Sequence, residues 1–420
     1  MNRIGSENRL GLGRYGFLHQ GGNSGYQAIN LAYLWGAKAI VLLGFDCSQP
    51  AGKEAHWFGQ HEEGLINLQP FALWQSRFPA LAEDLAHDGV QVINSSRETV
   101  LTCFDRAPIE VAAARLSQRP RAKPILLVSG MQGLGDNLHQ RSVVRQLMAN
   151  FEVWLKTPWP SIYHDLASQG LRLLPSETNL RTQRKNSKRE SSQYSPSRPQ
   201  SFSREIRIWY SQDQVRKRGS FLGAMCAEAG LPETEFSLTI KFEWLEEAAR
   251  LIAGWRTTKP ILIYRPLVER VEWAGCAARN PDPEAYAKLL RSVRKDFFVV
   301  SIADLEPRVE WVVSEAIEAD VEYHAGELGV EMIAALMRMS GAVFCSAGFA
   351  LILAQAVGAR VVAVFGGHES ARFYSRGAKT DFFIEPNEPC ECFSKAHSCN
   401  KTINIEAYVP RLRSFINGTD

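Results

Sequence analysis

Short apolar runs alternate along this chain with segments whose apolar residues recur at helical spacing. Ala39 to Leu43, Val90 to Ile93, Ile125 to Val128, Ile206 to Trp209, Ile261 to Tyr264, Phe297 to Ile302, Ala342 to Cys345 and Arg360 to Phe365 read as strands. They are continuous rather than alternating, as expected of parallel strands covered on both faces. Between them, helices are predicted after Gly25 (Ile29, Leu31, Ala32, Leu34, stopping at Gly36), over 73–87, after Asp136, and over 219–229, 243–255, 283–293, 330–339 and 349–357. Strand and helix in alternation imply parallel sheets wrapped by helices.

The pattern breaks at 177–203, which is rich in Ser, Arg, Lys, Gln and Pro and has no apolar period. It predicts a disordered insert or an extruded loop. Between Arg181 and Arg207 lie eight basic residues against two acids, Glu190 and Glu205. A solvated linker is the plain reading, and no aromatic interleaving supports nucleic-acid stacking. Four segments follow: a partial α/β unit (1–110), an Ala/Arg-rich linker (111–123), a second unit (124–255) that carries the insert, and a third (256–420).

Bulk numbers change little. At 420 residues the chain is too long for one core. Its 45% hydrophobic and 22% charged content is that of an ordinary globular protein, and a net charge of +3 excludes a general polyanion binder. Eight scattered cysteines do not form a disulfide framework, so a reducing, cytoplasmic setting is expected. No apolar run approaches 18 residues, which leaves peripheral membrane contact open.

Candidate chemistry lies where strands run into glycine-rich turns. Val128 leads through Gly130-Met131-Gln132-Gly133-Leu134-Gly135 to Asp136 and a helix. Backbone N–H groups at such a helix start suit an anionic ligand, and one carboxylate can point into a cleft. Asp136 reads either as a general base or as a helix N-cap. Gly133 and Gly135 read as points of close substrate approach or as turn glycines. Ser346-Ala347-Gly348 precedes another helix, whose dipole favours a diphosphate. Gly366, Gly367 and His368 follow the next strand, and Arg265 follows the strand ending at Tyr264, where it can grip phosphate or make a surface ion pair. Cys390, Cys392, His397 and Cys399 can supply four zinc ligands, but their spacing, C-x-C-x4-H-x-C, is not a standard zinc pattern, so unbound cysteines and no metal are expected.

From Lys123 onward the chain resembles glycosyltransferase family 9, the heptosyltransferase-like enzymes of GT-B fold. The likeness rests on Gly133-Leu134-Gly135-Asp136-Asn137-Leu138-His139, on the block from Gly326 to Gly367, and on the Cys390, Cys392, Cys399 tail. The resemblance implies two Rossmann-like domains facing a cleft, preceded here by a partial Rossmann-like α/β domain. It implies an acceptor domain over 124–255 and a nucleotide-sugar donor domain over 256–420. It also implies Asp136 as base, His139 on the acceptor loop, Glu327 near the donor hydroxyls, and no cofactor beyond the nucleotide-sugar itself. The family's Asp-Thr/Ser-Gly turn and following His are replaced by Ser346-Ala347-Gly348-Phe349-Ala350-Leu351. That departure keeps a second reading alive: a catalytically degenerate nucleotide- or glycan-binding protein.

The first segment resembles phage-associated proteins of the 6-hydroxymethylpterin diphosphokinase type and the bacterial sialyltransferase fold, through Gly21-Gly22-Asn23-Ser24-Gly25 and Gly44-Phe45-Asp46. The resemblance implies a pocket of Gly22, Asn23, Ser24 and Asp46, in a domain whose front part would be missing. No clear strand is predicted before this glycine loop.

Overall fold

A computed structural model describes residues 5–13, 17–48, 70–117, 123–271, 276, 278–313, 317–394 and 397–418. The chain divides into two compact units, Met1–Ala122 and Lys123–Asp420.

The first unit holds β1 (Gly5–Glu7), β2 (Phe17–His19), α1 (Ser24–Leu34), β3 (Ala39–Leu42), α2 (Phe71–His87), β4 (Gln91–Asn94), β5 (Asp105–Arg106) and α3 (Ile109–Ser117). β3, β4 and β5 form a parallel sheet, and β1 pairs with β2 in parallel. A strand therefore does precede the glycine loop. Three residues were too short to show as an apolar run. Tyr26, Ile29, Phe78, Leu81 and Leu85 pack the core between α1 and α2. Part of the expected linker is the helix α3, and 118–122 lie outside the described residues.

The second unit has two sheets. The first comes from β6 (Ile125–Ser129), α4 (Leu134–Leu147), β7 (Glu152–Lys156), α5 (His164–Ser168), β8 (Arg172–Leu174), α6 (Arg181–Arg189), β9 (Arg204–Arg207), α7 (Gln212–Arg218), α8 (Phe221–Glu228) and α9 (Phe242–Gly254). Its strand order is β8-β7-β6-β9, all parallel.

The second lobe comprises β10 (Ile261–Tyr264), β11 (Val268–Arg270), α10 (Pro283–Val293), β12 (Phe298–Ile302), β13 (Glu310–Val312), β14 (Val321–Tyr323), α11 (Val330–Met339), β15 (Ala342–Ser346), α12 (Phe349–Ala356), β16 (Val361–Val364), β17 (Asp381–Ile384) and α13 (Ile405–Asn417). Its main sheet runs β14-β12-β10-β15-β16-β17, again all parallel. Numbered within the lobe this is 3-2-1-4-5-6, the doubly wound order. The first lobe carries the 3-2-1-4 half of the same order. Two Rossmann-like lobes in one compact unit, preceded in the chain by a smaller parallel α/β unit, are the GT-B layout that the resemblance implied.

Ile263, Val343, Val361 and Ala363 are fully or almost fully buried, which accounts for their uninterrupted apolar runs. The lobes meet along α4 and α12. A Cβ on Gly135 would lie 2.7 Å from Ile352 Cδ1, so a side chain there would push the end of Ile352 aside where the two helices touch. The stretch 231–255 also reaches across: Leu238 N–H donates to Ala356 O, and Trp255 stacks on Phe298.

Segment 177–203 is not a disordered insert. It contains α6, with Gln183 and Asn186 buried, followed by the buried Glu190. Arg181 bonds Asp304 at 3.2 Å and Glu310 at 2.7 Å, Lys185 reaches Asp304 at 3.1 Å, and Arg189 donates to Gly326 O. The stabilising partners are carboxylates more than 100 residues away on the other lobe, and composition of the segment alone cannot show them.

Candidate functional site

In an open doubly wound sheet, a ligand crevice opens at the carboxyl ends of the strands where the strand order reverses. In the first lobe that point lies between β6 and β9. The loop after β6 leads to Asp136, and the stretch after β9 leads to Tyr210. The two meet: Tyr210 O–H donates to Asp136 Oδ1 at 2.7 Å. In the second lobe the reversal lies between β10 and β15, followed by Arg265 and by Ser346-Ala347-Gly348. A cleft of about 600 Å³ is lined by residues of both reversal points.

The loop carrying Asp136 is held by buried polar side chains of α4 itself. Asn137 Nδ2 donates to Met131 O and Gly133 O, and Gln140 Oε1 accepts from Met131 N–H. Gln140 Nε2 in turn donates to Asn137 Oδ1 and to the buried Tyr163 hydroxyl, and Trp159 Nε1 bonds Gln132 O. A fully satisfied network of this kind rigidifies its loop.

Gly133, not Asp136, is the N-cap of α4, and it offers no side chain. Asp136 folds back over it, since a Cβ on Gly133 would lie 2.5 Å from Asp136 Oδ2. The acid is thus spared from capping and faces the cleft. Burial raises its pKa above the ordinary carboxylate range; the Tyr210 hydrogen bond and the Arg279 charge oppose this, and Glu369 adds to it. Arg279 and Glu369 come from the second lobe, so Asp136 lies in the electrostatic reach of both lobes.

Arg265 is desolvated, with Nη1 donating to Ile302 O at 3.0 Å and its guanidinium 5.0 Å from the centre of the Phe349 ring. Among the described residues it makes no salt bridge. Burial, with Arg270 nearby, lowers its pKa to about 10. It is not the surface ion pair that was one reading of its sequence.

Ser346, Ala347 and Gly348 all line the cleft. Gly348, at φ 144°, is the N-cap of α12, in a conformation that L side chains rarely adopt. The first-turn amides of α12 therefore open onto the cleft. Arg279 lies beside them, with Nη2 4.0 Å from where a Gly348 Cβ would sit.

Other expected residues are placed elsewhere. A Cβ on Gly366 would meet the carbonyls of residues 278–280 at 2.5–2.7 Å, and one on Gly367 would meet Cys399 Cβ at 2.2 Å. Both glycines serve internal packing and neither lines the cleft. His368 does line it, buried beside Phe393. Glu327 is exposed, does not line the cleft, and accepts from Ala325 N–H. His139 reaches the cleft wall but is 4% exposed and edge-on to Phe236; burial and the Arg376 charge lower its pKa to about 3, so it stays neutral.

In the first unit, Asn23 caps α1 by accepting from Tyr26 N–H at 2.8 Å, and Ser24 is the first residue of that helix. Arg77 packs over Gly22, where a Cβ would lie 2.1 Å from its Nη1. Asp46 is half-buried, and its carbonyl accepts from Val100 N–H. These contacts give all four residues places in the packing of the unit.

Tyr210, Arg279 and Glu369 escaped the sequence reading. None sits in a glycine-rich turn. Position just beyond β9 and β16 was the available signal for Tyr210 and Glu369, and Arg279 offered none. The four tail residues bring their ligand atoms within 4.8 Å of one another.

No protein-family model and no curated protein matches the chain in sequence. Solved structures with a similar layout include Escherichia coli ADP-heptose lipopolysaccharide heptosyltransferase II (12% identity, covering 70% of this chain and 99% of that one, TM-score 0.45). A glycosyl transferase family 9 protein from Veillonella parvula is 12% identical over 72% of this chain and 99% of its own, with a TM-score of 0.46. The iron-containing dodecameric glycosyltransferase TibC of enterotoxigenic E. coli is 14% identical over 71% and 77%, with a TM-score of 0.46. Likeness this distant carries no information about substrate or residue roles.

Proposed function

We propose that the chain is a nucleotide-sugar glycosyltransferase that passes a sugar to a hydroxyl acceptor with inversion. The observation that carries this reading is the opposition across one cleft of a carboxylate of raised pKa, Asp136, and a cationic wall built from Arg265, Arg279 and the start of α12.

Glycosyl transfer needs a base for the acceptor hydroxyl and charge stabilisation for the departing diphosphate. Asp136 takes the proton as the acceptor oxygen attacks the anomeric carbon. The bond to the diphosphate breaks on the opposite side, toward the second lobe. The negative charge that develops there meets the two guanidiniums and the α12 amides. Base and leaving group on facing lobes make a single displacement, hence inversion. Burial serves the base well, because a carboxylate of raised pKa accepts a proton more readily near neutrality.

The test is release of nucleoside diphosphate from a donor panel that includes ADP-heptose, with wild type and Asp136→Asn. The expected result is turnover in the wild type, a loss of about 10²–10⁴-fold in the variant, and nucleotide affinity retained in both. Equal turnover in the two would remove Asp136 from the mechanism. Nucleotide binding without turnover by the wild type would favour the degenerate binding protein, the reading to which the acid-free Ser346–Leu351 turn points.

A further inference from the structure

The tail between β17 and α13 carries a second cluster of chemically active groups, away from Asp136. His397 Nδ1 lies 3.1 Å from Cys399 Sγ and 3.6 Å from Cys390 Sγ, and Cys392 Sγ lies 3.6 Å from Cys399 Sγ. All four ligand atoms fall within 4.8 Å of one another. With metal–sulfur bonds of about 2.3 Å and metal–nitrogen bonds of about 2.0–2.1 Å, tetrahedral donors stand roughly 3.5–3.8 Å apart. Two of these separations, both 3.6 Å, fall in that range, the 3.1 Å contact is shorter, and all three cysteines are free of disulfides.

We infer that Cys390, Cys392, His397 and Cys399 form a structural site for a tetrahedral, thiophilic divalent cation, zinc or ferrous iron. On binding, the three thiols release their protons to solvent and His397 coordinates through Nδ1. Three thiolates and one divalent ion leave a net charge of −1.

The surroundings suit such a site. Ser394 N–H points at Cys392 Sγ at 3.4 Å, an amide donor of the kind that supports thiolate ligands. Arg216 donates to the carbonyls of Glu391 and Cys392, which puts a cation beside the cluster. Glu391 and Phe393 flank Cys392 at φ 53° and 51°, backbone conformations that non-glycine residues hold only under local constraint. Gly367 has no Cβ because Cys399 occupies its place.

The site has a clear mechanical consequence. Phe393 N–H donates to His368 O, Cys392 N–H donates to Gly367 O, and Gln212 of the first lobe donates to Phe393 O. Phe393 and His368 both line the cleft. A cation at this position pins the tail to the cleft wall and to α7, whatever reaction the cleft performs.

The experiment is elemental analysis of the full chain, purified without a polyhistidine tag, paired with cobalt substitution. About one equivalent of zinc or iron per chain is expected, and the analysis tells the two apart. Cobalt-loaded protein should show a thiolate-to-cobalt charge-transfer band. Cys390→Ser with Cys399→Ser should lose both signals. Should that variant fail to fold, mercurial titration of the wild type gives the same answer: one metal is released as the accessible thiols are modified. Protein exposed to zinc that retains none, shows no cobalt band and offers all three thiols to a disulfide reagent at the same rate with or without zinc would overturn the inference.

Discussion

On the proposed reading, function and stability make opposite demands on Asp136. Its folded pKa lies above the unfolded value because burial disfavours the charged form. The sign follows from proton linkage. Such a group contributes stability that is fully present below its unfolded pKa, and this is lost as pH rises through the folded one. At pH 8 the ionised carboxylate therefore costs stability, and Asp136→Asn should raise the melting temperature while sharply lowering turnover. Calorimetry of the two proteins at pH 8 reads the direction of the change. A loss of stability would mean that the acid is structural after all.

Tyr210 gives a second handle at this scale. Its hydrogen bond lowers the Asp136 pKa against burial. Tyr210→Phe should therefore move the acidic limb of the pH–rate profile upward, with the alkaline plateau reduced less than the rate on that limb. An unmoved limb would mean that the titrating base is a different group, of which Glu369 on the facing lobe is the first to examine.

Among the elements, α6 is the instructive case. Its nine residues include five bases and no apolar side chain, and no sequence period marks it as ordered. It is helical because Asp304, Glu306 and Glu310 meet its cations and because Asn186 donates to Pro158 O beneath it. The strands β10, β12, β15 and β16 of the second lobe were legible for the opposite reason: they are covered on both faces, so their apolar runs are unbroken, whereas the short, charged or half-exposed β11, β13, β14 and β17 gave no such run. The glycine-rich turns were legible as well, though not their assignments. Gly348 does meet the cleft, while Gly366 and Gly367 answer to packing constraints from distant segments. Asp136 could be found from its loop; the residues that tune it are placed by topology alone.

The end of α6 also carries a pH-dependent contact. Glu190 is 3% exposed and accepts from Ser161 N–H, with Asn186 and the Glu331 carboxylate of α11 beside it. Burial first, then the Glu331 charge, pushes its pKa up to about 7. The native state thus holds this proton more tightly than the unfolded chain does, so stability present below about pH 4.3 falls away as pH rises toward 7. The whole effect is on the order of 3 kcal/mol at 1.36 kcal/mol per pKa unit. Glu190→Gln should flatten the melting temperature between pH 5 and pH 8, measured by calorimetry. Parallel pH profiles in variant and wild type would show that Glu190 keeps an ordinary pKa.

For the molecule as a whole, two parallel sheets with matching reversal points bring a loop at 130–136 opposite loops more than 100 residues away. Neither lobe alone makes the site: the first supplies the acid and Tyr210, the second supplies the cations and the α12 amides. On the proposed reading the diphosphate sits against the second lobe, beside Arg279 and Gly348. Titration calorimetry of wild type and Arg279→Ala with ADP, UDP and GDP tests that placement most directly. At least one nucleoside diphosphate should bind the wild type, and the variant should bind it about tenfold or more weakly, a difference of at least about 1.4 kcal/mol. Binding of none of the three to the wild type, or equal affinity in both proteins, would contradict the account.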